Sequence, residues 1–311
     1  MVSFTRGAAA LVLLATAFAA PANAQGSAGG ESLGTVQIFT NDWFGMPFGD
    51  RFDRWRTGSY QVSHFRGEAW NGTLPSDPFA LVEYRFRGEI IAPDNLAAPA
   101  AGDRLYAPVL YFGATTHFEL RGIEVALGAD LVLTGDQTGL MGLHDGIHRT
   151  FGGSSVDLAN FMIEDGIYFN GIVEGARSLE WGAANVRPFL EVQAGFESLV
   201  RAGVDLRFGN FDDEALLIRD PITGQRLIGV PGDNGGGWTF SAGGDVAFVG
   251  DSVLLPTSGP AIEDTRYRVR GGVNYAFGPS NFFYGVTYLS EEFVGQSEGQ
   301  LVGSMSLMLR F

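Results

Sequence analysis

The last nine residues of the chain alternate in polarity, as the side chains of an extended strand do. One face carries Gly303, Met305, Leu307, Leu309 and Phe311, and the other carries Ser304, Ser306, Met308 and Arg310. An apolar face opposite a polar one is typical of a strand that has lipid on one side and a wet lumen on the other. The segment therefore predicts the closing strand of a membrane-spanning β-barrel.

The first 24 residues have the features of a secretory signal peptide. An apolar run at 8–20 follows a basic residue and leads into Pro21-Ala22-Asn23-Ala24, which places small residues at a cleavage site. The run is shorter than the ~20 residues of a membrane-spanning helix. We expect residues 1–24 to be removed and 25–311 to form one outer-membrane barrel. The terminal Phe311 resembles the signal that the barrel-insertion machinery reads.

The composition agrees with a barrel. The chain contains 45 Gly and 25 Phe, which suits tight turns and aromatic girdles, and it contains no Cys, which excludes disulfides and thiol chemistry. Its net charge of −15 disfavours nucleic acid as a partner, because that binding needs a basic surface. A secreted β-sandwich is the alternative fold, and the closing strand counts against it.

The prediction is an all-β, antiparallel, up-and-down barrel of about 12 strands. The candidate strands are 33–41, 56–66, 79–91, 106–116, 118–131, 166–177, 186–196, 198–209, 236–249, 265–277, 281–291 and 299–311. With an even number of strands, the links from odd to even strands are extracellular, and these include four long links at 42–55, 92–105, 132–165 and 250–264. Long links are expected on that side.

Two segments need separate interpretation. The link 210–235 falls on the periplasmic side, so it is either an unusual extension or a sign that a strand is miscounted. The extracellular link 132–165 contains Ser154 to Met162, which predicts a short helix capped by a Ser.

Polar residues gather at the predicted extracellular rim. The first strand ends in Asn41-Asp42, the second opens with Asp53-Arg54-Trp55-Arg56-Thr57, the third link ends in Asp103-Arg104-Leu105-Tyr106, and the fourth holds His144 to Arg149. Consecutive strands are neighbours in a barrel, so these groups could hold a metal and a water. Alternation places Asn41 and Thr57 inward and Asp42 outward, unless the strand ends or bulges there.

These patches, in this order, resemble the outer-membrane lipid A 3'-O-deacylases, the LpxR-like proteins. The matching segments are Asn41-Asp42, Asp53-Arg54-Trp55-Arg56-Thr57-Gly58, Asp103-Arg104-Leu105-Tyr106-Ala107 and the Gly-rich stretch from Gly135 to His148-Arg149. The resemblance runs through most of the mature chain. The chain departs from the family at Arg56, where the family has Tyr, and at His144, where it usually has Gln.

The resemblance implies a calcium-dependent esterase that removes the 3'-linked acyloxyacyl group of lipid A, or lipopolysaccharide. His148 would be the general base, a role that suits imidazole because its ordinary pKa lies near ~6.5. Asp42 would bind Ca²⁺, which prefers oxygen ligands. Asn41 and Thr57 would complete the catalytic residues. The candidates for binding substrate are Arg56, Arg104, His144 and Arg149, since Arg suits phosphate.

Other interpretations stay open at this point. The chain could be a channel, a structural barrel or an inactive relative of the deacylases. Trp55 and Tyr106 are expected in the aromatic girdles, and His117 is expected at a periplasmic turn with no role. We expect a monomer in the bacterial outer membrane.

Overall fold

The computed structural model describes residues 30–45, 53–151, 155–232, 236–277 and 280–308. The predicted signal peptide, the Ser154 start of the predicted helix and the last three residues of the closing strand lie outside these ranges.

Twelve antiparallel strands form a closed barrel, as predicted. The strands of the chain are β1 Glu31–Asn41, β2 Trp55–Gly67, β3 Leu81–Ala92, β4 Ala107–Leu120, β5 Ile123–Thr134, β6 Gly166–Ala176, β7 Leu179–Trp181, β8 Ala184–Gly195, β9 Glu197–Gly209, β10 Leu216–Arg219, β11 Arg226–Val230, β12 Gly237–Ser252, β13 Thr265–Phe277, β14 Ser280–Leu289 and β15 Gln300–Met308. Strand β7 pairs with one end of β8, and β10 pairs with β11 in a separate two-stranded sheet. Closure comes from β1 pairing with β15, with Asn41 opposite Gly303.

The wall separates an apolar outer face from a charged lumen. In β13, Tyr267 and Val269 point outward and are exposed, whereas Arg268 and Arg270 point inward and are buried. Both arginines pair with Asp245 of β12, and the Arg268 Nε–Asp245 Oδ1 distance is 2.9 Å. A buried charge needs such a partner because desolvation is costly. The alternation predicted for this strand is therefore confirmed.

Three expectations about single residues are wrong. Strand β4 continues to Leu120, so His117 does not lie at a turn but inside the lumen, with Nε2 3.1 Å from Glu83 Oε2. Trp55 and Tyr106 are 1% and 0% exposed, so neither belongs to an aromatic girdle. Both pack in buried clusters at the barrel mouth, where loops cover the ends of the strands.

The helices lie beside the barrel mouth. Helix α1 is Asp42–Gly45, a 3₁₀ turn spans Asp136–Thr138, and helix α2 is Leu140–Phe151. The sequence predicts a short helix in the link 132–165, and α2 lies in that link. The predicted position, Ser154 to Met162, is wrong, because the described residues there are not helical. No helix of the described residues is long and apolar enough to cross a membrane.

The periplasmic link 210–235 contains a hairpin, β10–β11, that folds back into the lumen. We call Leu216–Val230 the plug hairpin. Its apolar side chains join a core with inward residues of the wall; the members include Leu216, Ile218, Leu227, Val230, Val36, Ile38, Phe65, Leu81, Phe283 and Met308. Gly229 lies against the Phe65 ring, where a Cβ would come within 2.6 Å of Cζ. The strand count was correct, and the segment is an inward extension.

Polar contacts fix the other side of the plug hairpin. Arg219 pairs with Glu174 of β6 and Asp205 of β9, at 2.5 and 2.7 Å. Gln225 Nε2 donates to the Gly271 carbonyl of β13 at 3.0 Å, and Thr223 Oγ1 lies 3.0 Å from Ser304 Oγ of β15. The hairpin thus contacts strands on opposite sides of the barrel and fills the space between them.

Candidate functional site

Helix α2 packs against the outer surface of the barrel wall. Met141 of α2 lies in a cluster with Ile90 and Ala92, which are on the outward face of β3. A Cβ at the outward-facing Gly88 would lie 3.7 Å from a methyl carbon of Leu140. His144 and His148 of α2 are therefore presented between the helix and the wall, outside the lumen.

Helix α1 also lies on the outside of the wall. A Cβ at Gly303, an outward position of β15, would come within 2.5–2.7 Å of Phe44. The hydroxyl of Tyr284, on the outward face of β14, donates to the Phe44 carbonyl at 2.8 Å. The absence of a side chain at Gly303 lets α1 sit directly on the strand, which positions Asp42 at its first residue.

The structure reverses the predicted facing of Asn41, and at Asp42 the strand ends, which is the exception that the prediction allowed. Thr40 is the buried, inward residue at the end of β1, and Asn41 is on the opposite face, where its Oδ1 accepts from the Trp43 N–H at 2.8 Å. Asp42 leaves the strand for α1 and is 3% exposed. Alternation also fails at Thr57, because a bulge interrupts the register between Arg56 and Gly58.

Asp42 holds a buried carboxylate that the described residues satisfy only in part. Oδ2 accepts from the Arg54 N–H at 3.3 Å, and Oδ1 has no hydrogen-bond partner among the described residues. Burial raises the pKa of Asp42 to about 7, and the nearby carboxylate of Asp53 adds to this effect. Thr57 Oγ1 is likewise buried without a partner among the described residues. Unsatisfied buried oxygens of this kind mark places where an ion, water or ligand can bind.

Two imidazoles lie on one face of α2, next to Asp53. His144 and His148 are one turn apart, and their rings meet edge-to-face with centroids 4.5 Å apart. His148 Nε2 lies 3.4 Å from Asp53 Oδ2. Asp53 therefore connects the two halves of the site, because it is the neighbour of both Asp42 and His148.

Tyr106 supports the buried imidazole. Its hydroxyl is hydrogen-bonded to His144 Nδ1 at 3.0 Å, and the two rings are parallel. Burial lowers the pKa of His144 to about 4, with the neighbouring His148 acting in the same direction. His144 is therefore neutral near pH 7, which leaves it able to offer a lone pair.

The two arginines predicted to bind phosphate at 56 and 104 lie inside the barrel mouth. Arg104 is fully buried and pairs with Glu292, and Arg56 pairs with Glu292 at 2.7 Å and Glu89 at 2.6 Å. Carboxylates thus hold both guanidinium groups inside the barrel mouth. This position does not favour contact with a substrate outside the barrel. Arg149 differs, because its side chain is 68% exposed while it pairs with Asp145.

The comparisons with known proteins agree with this architecture. The model of the family described as outer membrane protein LpxR matches residues 9–311. The chain belongs to the LpxR family. Family membership and the barrel together place the protein in the outer membrane.

One solved structure gives the same fold. LpxR from Salmonella typhimurium is similar, with a TM-score of 0.71 and 16% identity over 90% of this chain and 100% of that one. The β-domain of the Bordetella autotransporter BrkA has a TM-score of 0.43 and 13% identity, over 90% of this chain and 100% of that one. No curated protein matches the chain.

In this LpxR-family protein, Asp53 and Tyr106 are the site residues that the sequence analysis did not select. Both lie within the segments that carry the family resemblance, so their position in those motifs was the available signal. The predicted Asp42, His144 and His148 come together with them. The arrangement offers an imidazole with a carboxylate partner, Asp53, which neighbours a second carboxylate that the described residues satisfy only in part.

Proposed function

We propose that this protein hydrolyses the 3'-linked acyloxyacyl ester of lipid A, with His148 as general base and Ca²⁺ as cofactor. Membership of the LpxR family supports the proposal. The observation that carries it is the contact between His148 Nε2 and Asp53 Oδ2 at 3.4 Å, with Asp53 next to Asp42, whose Oδ1 has no partner among the described residues. A base oriented by a carboxylate is a recurring element of hydrolytic sites.

His148 takes the proton of the attacking water in this proposal. If Nε2 carries hydrogen and faces Asp53, then Nδ1 carries the lone pair that accepts a proton. Asp53 fixes this tautomer and stabilises the imidazolium that forms, as the carboxylate does in a Ser-His-Asp triad. Asn41 acts by positioning, since its side chain accepts from the first turn of α1.

The residues present fit a hard divalent cation. Among the described residues, Asp42 Oδ1 and the Thr57 hydroxyl are buried without a partner, and burial together with Asp53 raises the pKa of Asp42. Oxygen donors of this kind are what Ca²⁺ prefers, and a cation would offset the cost of burying Asp42 in its charged form. Bound Ca²⁺ would polarise the ester carbonyl and stabilise negative charge on its oxygen.

The position of the site suits a substrate that resides in the membrane. Helices α1 and α2 both lie on the outer surface of the wall, and each exposes a large apolar side chain, Trp43 and Leu143. Such side chains contact acyl chains favourably, and the exposed Arg149 can pair with a lipid phosphate. A lipid can therefore approach from the side without entering the lumen.

The alternative of a channel is disfavoured by the plug hairpin. Arg219 bridges Glu174 and Asp205 inside the barrel, and an apolar core fills the other side of the lumen. A barrel of 12 strands has a narrow lumen, so the hairpin occupies most of its width.

The proposal is tested by mass spectrometry of lipid A from cells that express the wild type or variants. The expected result is loss of one acyloxyacyl unit, which His148→Ala and chelation of Ca²⁺ each abolish. His64→Ala is the matched control, since His64 lies in the wall away from the site. Asp42→Asn should fold but lose both activity and stabilisation by Ca²⁺. An unchanged lipid profile with folded, membrane-inserted wild type contradicts the proposal.

A further inference from the structure

Asp53 and the two histidines of α2 form a set of donor atoms that differs from the oxygen atoms proposed to hold calcium. Within the described part of the chain, Asp53, His144 and His148 each offer one ligand atom, and these atoms lie within 4.8 Å of one another. Calcium is bound by oxygen, whereas two imidazoles and a carboxylate are ligands typical of Zn²⁺ and its first-row neighbours.

The local fold holds these ligands in place. His144 and His148 occupy positions i and i+4 of α2, which lie on one face of a helix. The two rings meet edge-to-face with their centroids 4.5 Å apart, so they do not stack on each other. Asp53 comes from the link before β2 and reaches the same point from the barrel wall. Three side chains from two separate segments therefore converge.

Tyr106 supplies the outer partner that metal-binding histidines commonly have. In the tautomer in which His144 Nδ1–H donates to the Tyr106 hydroxyl oxygen, at 3.0 Å, the ring is fixed and Nε2 carries the lone pair. A hydrogen bond to one imidazole nitrogen orients the other toward a metal and raises its basicity. Tyr106 itself is fully buried, so this partner does not exchange with solvent.

We propose that Asp53, His144 and His148 form a binding site for a first-row transition-metal ion, with Zn²⁺ as the best match, and that this ion inhibits the esterase. The three protein ligands leave at least one position for water, as in other three-ligand zinc sites. The ion uses the His148 lone pair, so His148 cannot also accept a proton from water. The inhibitory part rests on the proposed function, whereas the binding part does not.

The binding test uses the full mature barrel folded in detergent and Co²⁺ as a spectroscopic probe for Zn²⁺. We expect one Co²⁺ per chain with the intense visible absorption of a four- or five-coordinate ion, displaced by Zn²⁺ and retained in excess Ca²⁺. His144→Gln should weaken binding by more than about tenfold, and Tyr106→Phe by about tenfold. His64→Gln is the matched control and should bind as the wild type does.

The outcomes separate the two proposals. A weak octahedral Co²⁺ spectrum, or equal affinity in the wild type and His144→Gln, overturns the metal site. If the site binds, Zn²⁺ should inhibit lipid A deacylation by the wild type at concentrations that fill the Co²⁺ site, and full activity of the Zn²⁺-loaded protein overturns the inhibitory role. The spectroscopic result stands whether or not the chain hydrolyses lipid A.

Discussion

Asp53 Oδ2 lies 3.4 Å from His148 Nε2, and this contact joins the link before β2 to helix α2. If Asp53 orients the imidazole, Asp53→Asn should lower kcat far more than it raises KM. The expected loss is on the order of 100-fold or more, because an amide favours the wrong tautomer. Steady-state kinetics on lipid A in mixed micelles measures both parameters.

Asp136→Asn is the control for that variant. Asp136 is an exposed acid in the neighbouring 3₁₀ turn, and its replacement removes the same charge without touching His148. Its kinetics should match those of the wild type. A kcat for Asp53→Asn within twofold of the wild type would show that the contact does not orient the base.

The barrel strands and the polar residues at the rim could be predicted because the alternation of side chains and the order of the strands can be seen in the sequence. Lipid on one side and water on the other impose alternation, so strands such as β13 were found with correct faces. Neighbouring strands bring the end of β1 and the start of β2 together, so Asn41 lies opposite Gly58 and close to Thr57, as the strand order predicts. Helix α2 was missed because Gly142 and Gly146 lower its helix propensity.

The details that escaped prediction depend on tertiary contacts. The facing of Asn41 and Asp42 follows from the end of β1 and from the contact of α1 with Gly303. The bulge at Thr57 breaks the alternation locally. The plug hairpin, Leu216–Val230, has short strands that also suit a surface loop, and only the surrounding wall determines that it folds inward.

The packing of α1 on the wall gives a test in which only a methyl group is added. Gly303→Ala places a Cβ 2.5–2.7 Å from Phe44, so α1 must move and carry Asp42 with it. We expect activity to fall at least tenfold, with a strain of about 1–3 kcal/mol that leaves the barrel folded. Heat-modified mobility on gels checks folding, and lipid A deacylation reports activity.

Gly271→Ala is the matched control for Gly303→Ala. Gly271 is another outward glycine of the wall, and the nearest atom to a Cβ there is 3.9 Å away. This variant should retain both fold and activity. Equal activity of the two variants would mean that the position of Asp42 does not depend on the packing of α1 against β15.

The ionic cluster at the mouth should make stability depend on pH. Burial alone raises the pKa of Glu292, but Arg56 and Arg104 outweigh it and hold the pKa well below its ordinary value. A lowered pKa in the folded state means that the ionised carboxylate stabilises the fold above about pH 4.5, and that this contribution is lost as pH falls below it. Urea unfolding between pH 7 and pH 3 should follow this course.

Glu292→Gln should remove that dependence and destabilise the protein by about 3 kcal/mol at pH 7, because it takes the carboxylate partner from the buried Arg104 and leaves Arg56 with Glu89 alone. Glu298→Gln is the control, since Glu298 pairs with Arg54 but is 55% exposed. Its stability should stay within about 1 kcal/mol of the wild type at each pH. A pH profile unchanged by Glu292→Gln would contradict the assignment.

The plug hairpin should keep the barrel closed to ions. Wild-type protein in planar bilayers should give no steady current, because Arg219 with its two acidic partners and the apolar core fill the lumen. Replacing residues 213–232 with a short Gly-Ser linker should produce steady channel openings. Shortening the exposed tip at Leu179–Trp181 should leave the barrel closed, since that segment lies outside the lumen. Sizeable steady current through the wild type would mean that the hairpin does not seal the barrel and would restore the channel as a candidate function.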